Sequence, residues 1–145
     1  MRIKLKLSED TILVSHLEEY NRLMERSRRF METAEVQIEK GFFDLAAFSL
    51  EQSLQSYLKA CLLRVGPDYP RTHSLRRLLS LIAEISGEVS LIELTRKFSL
   101  ELGALEDAYI TSRYIARDYD AAEVERLKIA VTEITRVLKP ICEGG

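Results

Sequence analysis

Arginine, tyrosine and histidine gather in two stretches of this sequence, and phosphate recognition is the chemistry they would support. His73 stands among Arg71, Arg76 and Arg77, while Tyr109 is followed by Arg113, Tyr114, Arg117 and Tyr119. A guanidinium presents a planar fork of donors that matches phosphate oxygens in pairs, and a tyrosine beside it supplies a stacking face. The helix opening near His73 adds free backbone amides, a second attraction for an anion. Arg22, Arg26 and Arg29 recur at helical spacing with Arg28 beside them and could extend a basic stripe. Interleaved Glu18, Glu19, Glu25 and Glu32 equally describe a face laced with salt bridges.

Other chemistries find less footing. His16 and His73 lie far apart and neither begins a metal-ligand spacing, so no metal site is expected. Glu18 with Glu19, Glu106 with Asp107, and Asp118 with Asp120 read as solvated charges with nothing to raise a pKa. Ser56 and Lys59 spell S-x-x-K, but the S-D-N and K-T-G partners of that arrangement are missing, and polar positions within a long amphipathic helix account for both. None of the six glycines falls in a phosphate-loop spacing, which removes the P-loop and Rossmann turns; no cofactor is implied.

Helices must position these residues. Tyr20, Leu23, Met24, Phe30, Met31, Ala34 and Ile38 trace one helix face that ends at Gly41. Ala46, Ala47, Leu50, Leu54, Tyr57, Leu58, Cys61, Leu62 and Val65 trace a second, stopped by Gly66 and Pro67. So short a connection predicts an antiparallel hairpin. A third, shorter helix carries Leu75, Leu78, Leu79, Ile82 and Ile85, with Gly87 as its left-handed cap. Ser90 and Glu93 form a capping-box pattern ahead of a fourth helix reaching Tyr109, and Asp120 with Glu123 repeat it ahead of Val124, Leu127, Val131, Ile134, Leu138 and Ile141. The fold expected is all-α, an antiparallel up-and-down bundle of four or five helices. Residues 1–19 read as an N-terminal arm and lead-in, 20–141 as the bundle and 142–145 as a tail. Ile3, Leu5 and Leu7 alternate with Lys4 and Lys6, as in a short edge strand or a partner-binding extension.

The totals agree with one domain. A chain of 145 residues buries roughly 70% of the surface that its unfolded form exposes, and 46% hydrophobic content supplies a core without staples. A net charge of −2 gives no long-range pull toward polyanions or membranes, so any nucleic-acid site must be local. Cys61 and Cys142 lack a C-x-x-C spacing and suit reduced thiols in the cytoplasm, although a bridge between them stays open. No stretch is continuously apolar enough for a signal peptide or membrane span. Arginine is twice as frequent as lysine and asparagine occurs once, a bias that leans toward a thermophilic source.

Three segments carry a family resemblance. The run from Ala46 to Ala60, with Gln52, Tyr57 and the Leu58-Lys59-Ala60 triplet, resembles the second-helix signature of HEPN domains. Thr72-His73-Ser74-Leu75 resembles the T-H-x-L that opens the family's third helix, and the stretch from Tyr109 through Ser112, Arg113 and Tyr114 resembles its Y-x-x-S-R-Y. The order is the family's own. The resemblance implies an HEPN-like bundle that homodimerises through helix faces and binds a nucleotide, RNA or other phosphate-bearing ligand, or pairs in toxin–antitoxin fashion with a minimal nucleotidyltransferase protein, or both. Candidate ligand-binding residues are His73, Arg113, Tyr114, Arg117, Tyr109, Gln52 and Tyr57; structural roles within the bundle are the competing expectation for Gln52, Tyr57, His73 and Tyr109.

Some relatives are metal-independent ribonucleases with an R-x4-6-H motif, and here this sequence departs from the pattern. Arg64 is too distant from His73 and Arg71 too close, and no tyrosine stands two residues beyond His73. A non-catalytic accessory module is therefore expected, with no catalytic residue. A divergent ribonuclease using His73, with its arginine drawn from elsewhere or from a second subunit, and a purely structural dimerisation module are the alternatives.

Overall fold

In the computed structural model, which describes residues 2–114 and 117–144 and the side chains of 14–111 and 117–144, the described residues form six helices and no strand. They are α1 (Arg2–Glu39), α2 (Phe43–Val65), α3 (Leu75–Ser86), α4 (Ser90–Lys97), α5 (Ser99–Tyr114) and α6 (Ala121–Glu143). No helix is long and apolar enough to cross a membrane.

The α1–α2 hairpin forms as expected. Gly41 takes φ +76° and the Phe42 amide reaches back to the Gln37 carbonyl at 2.8 Å, a six-to-one bond that closes α1. Ser27 pairs with Ser53 and Gln37 with Ser49, so the residue numbers run in opposite directions. Each serine hydroxyl of the first pair donates to the other's backbone carbonyl, at 2.7 and 2.8 Å, which lets buried polar groups sit at a close helix contact. The wholly buried Ala34, Ala46 and Ala47 bring the backbones near for the same reason: there is little side chain to separate them.

Helix α2 is the axis of the molecule, packed by α1, α3, α5 and α6. Leu50, Leu54, Leu58 and Leu62 repeat every fourth residue on it and are wholly buried. Against them lie Leu75, Leu78, Leu79 and Ile82 of α3, Leu102 and Leu105 of α5, and Val124, Leu127, Val131, Ile134 and Leu138 of α6. Ile85, although in step with the α3 stripe, stays 45% exposed. Two expected caps form: Gly87 is left-handed at φ +73°, and the Asp120 carboxylate accepts from the Glu123 amide at 2.7 Å.

Four expectations need correction. The arm does not form an edge strand, since α1 is helical from Arg2; lysine, leucine and glutamate favour helix, and no sheet exists among the described residues for a strand to join. The Ser90 capping box is not made, because Val89 is already helical at φ −61° and ψ −32° and Glu93 pairs with Arg96. The fourth pattern breaks at Phe98, which turns the chain from α3, packed by α4, toward α2, packed by α5. Finally, Cys61 and Cys142 are joined in a disulfide with their Cα atoms 4.5 Å apart. Each lies in the inward stripe of its helix and both are wholly buried, so the packing of α6 on α2 brings together residues 81 apart in sequence.

Candidate ligand-binding site

His73 and Tyr109 come together. The sequence Thr72-His73-Ser74 makes a tight entry into α3: the Thr72 hydroxyl accepts from the Ser74 amide at 3.1 Å, and the Ser74 hydroxyl caps the Arg77 amide at 3.2 Å. That turn lays the His73 ring on Tyr109, with ring centres 4.2 Å apart, planes 25° apart, and the Tyr109 hydroxyl 3.1 Å from His73 Nε2. Phe48 of α2 continues the ladder, 6.4 Å from Tyr109. Tyr109 is buried and His73 exposed, so the ladder runs from the core to the surface. Arg76, at the rim, donates to Glu106 at 2.7 Å.

The helix α5 runs on to Tyr114, so Tyr109, Arg113 and Tyr114 lie on a helix and not in the loop between helices that the apolar pattern suggests. Nothing in Tyr109-Ile110-Thr111-Ser112 is glycine or proline, and the helix continues. Arg113 stands one turn beyond Tyr109; the side chains of Arg113 and Tyr114 lie outside the described residues. Arg117 pairs with Glu123 at 2.7 Å and lies over the Tyr119 ring at 4.2 Å, tied to the start of α6.

Gln52 and Tyr57 belong to other surfaces. Tyr57 lies nine residues beyond Phe48 on α2, about half a revolution away from the aromatic ladder. Its hydroxyl donates to Glu143 at 2.8 Å, and burial, with Glu143 beside it, pushes the phenol far above its usual range. This is a clasp between α2 and the end of α6, next to the disulfide. Gln52 instead lines a groove of about 560 Å³ between α1 and α2, together with Arg22, Arg26, Arg29, Lys59 and Tyr69.

Sequence reasoning missed Glu51, the residue that organises this groove. It is wholly buried; one carboxylate oxygen accepts from Gln52 Nε2 and the other from Gln55 Nε2, both at 2.7 Å. Gln55 then accepts from Lys59 Nζ at 2.9 Å. Burial pushes the Glu51 carboxyl up to about 7; the two glutamine bonds and the Lys59 charge oppose the rise, while Glu106 adds to it. The available signal was spacing: Glu51, Gln55 and Lys59 stand four residues apart along one face of an otherwise apolar helix. The Lys59 of the S-x-x-K spelling thus donates to Gln55.

The bundle, its capped entry into α3 and the polar face of α2 define a small helical domain. No group of three metal-ligating side chains occurs among the described residues. The model of the HEPN domain family matches residues 20–141, most of the chain, and the chain belongs to that family. No curated protein matches it.

Proposed function

We propose that this chain is a non-catalytic HEPN accessory module, a homodimer that binds a nucleotide or other phosphate-bearing ligand beside His73 and Tyr109. The supporting observation is the stacking of the exposed His73 ring on Tyr109, aromatic groups of the kind that recognise nucleobases, with Arg113 one helical turn farther along α5. In this reading Arg113 serves as the phosphate fork and Tyr114 as a stacking residue. Family membership supports pairing with a minimal nucleotidyltransferase protein in toxin–antitoxin fashion. We place the protein in the cytoplasm, where buried disulfides persist in heat-adapted organisms; the excess of arginine over lysine agrees.

Calorimetric titration with ATP and with short RNA tests this reading, alongside light scattering. Saturable binding to a particle of two chains, weakened at least tenfold in Arg113→Ala and in His73→Ala, is the expected result. Absence of binding to the parent, unchanged binding in both variants, or a strictly monomeric particle at micromolar concentration would end it. RNA cleavage that persists in chelator and vanishes in His73→Ala would replace it with the ribonuclease reading.

A further inference from the structure

Two cations share the groove between α1 and α2 without a carboxylate of their own. Arg26 lies over the Phe30 ring at 5.1 Å and Lys59 over the Tyr69 ring at 5.5 Å, and neither forms an ion pair with any described residue. Their neighbours differ. Arg22 is paired with Glu19, and Arg28 and Arg29 with Glu25. Lys59 is also no ordinary surface lysine: it is half-buried, and Gln55, itself held by the buried Glu51, fixes its amine. Burial draws the Lys59 pKa down, the Glu51 charge opposes this, and the charge of Arg26 lowers it further.

Placing an arginine and a partly desolvated lysine in one groove is unfavourable for the empty protein, and an anion between them would relieve it. We infer that this groove is a binding site for a single phosphate group, with Arg26 and Lys59 as its charged ligands and Glu51 as the positioning residue behind them. Arg22, Arg26, Arg29 and Lys59 line it against Glu19 and Glu25, which leaves two positive charges, the match for a phosphate dianion. A nucleic-acid strand would have to run its phosphates past both glutamates, so a small ligand fits the rim and a polyanion does not. The inference is separate from the reading of His73, because Phe48 and Lys59 lie eleven residues, or about 16 Å, apart along α2.

Thermal melting of the full chain at pH 8 and constant ionic strength tests it, with inorganic phosphate in one arm and glycerol 3-phosphate in the other. At ten times its dissociation constant, an effective ligand should raise the melting temperature by about 4 °C. The arm that responds identifies the ligand as the free ion or its monoester. Without ligand, Lys59→Met should melt at or above the parent temperature, since it removes the charge repulsion with Arg26, and it should lose the response; the exposed Arg26→Gln should lose it too. His73→Ala should keep it. A parent that responds in neither arm, or a Lys59→Met variant that responds as the parent does, would overturn the inference.

Discussion

The sulfurs of Cys61 and Cys142 join the C-terminal part of the molecule's central helix to the last turn of α6, across 81 residues of chain. Around that link, the Tyr20 hydroxyl donates to the Cys142 carbonyl at 2.7 Å and Tyr57 donates to Glu143, so three helices are tied at one end of the bundle. A cross-link closing so long a loop restricts the unfolded chain and stabilises the fold by about 4 kcal/mol. The protein should therefore show no titratable thiol, folded or in denaturant, until it is reduced. Reductant, or the Cys61→Ala/Cys142→Ala double substitution, should lower the melting temperature by roughly 10 °C. Two fast-reacting thiols in the folded protein would contradict the link.

Glu51 should give stability an uncommon pH dependence. Its folded pKa of about 7 lies above the ordinary 4.5, so between those values the folded state holds a proton that the unfolded chain releases. Stability from this group is consequently greatest below about 4.5, falls as pH rises toward 7, and is level above that. The loss is on the order of 3 kcal/mol. Denaturant midpoints measured from pH 5 to pH 8 should decline in the parent, and Glu51→Gln should flatten the decline. Equal slopes in the two proteins would show that the carboxyl is not held as the structure has it.

The caps separate bonds that form from those that spelling alone suggests. Asp120→Ala and Ser74→Ala each remove an acceptor from a helix amide and should cost about 1 kcal/mol in urea unfolding. Ser90→Ala removes none, because Ser90 is already the first residue of α4 and not its cap, and should be close to neutral. A large loss at Ser90 would mean that the capping box forms after all.

Tyr57→Phe should destabilise the protein by about 1 kcal/mol through the lost bond to Glu143, while leaving ligand binding at His73 untouched. Calorimetry on the variant distinguishes this clasp from a ligand-binding role. Weakened nucleotide affinity would return Tyr57 to the site.

Much of the fold was legible because it is local. The stripes led by Leu50, Leu54 and Leu58 on α2, and by Val124, Leu127 and Val131 on α6, follow from the helical repeat, which depends on near neighbours only. Gly87 and Asp120 announce their caps for the same reason. Phe98 did not announce the break between α4 and α5, because its apolar side chain continues the stripe and only the competing pull of α3 and α2 bends the chain there.

The candidate sites divide along the same line. The residue order alone singled out His73 and Tyr109, and the arginines of α1, by their type and spacing. It could not show that His73 lies flat on Tyr109, that Glu51 is buried with two glutamines bonded to it, or that Arg26 and Lys59 share a groove with no ion-pair partner of their own among the described residues. The ring stacking, the shared groove and the burial of Glu51 with its α2 neighbours are set between helices, by how far each helix is rotated and how closely alanine and serine let the backbones approach. A single helix carries its own periodicity, whereas the partner of each side chain is decided only when the whole core closes.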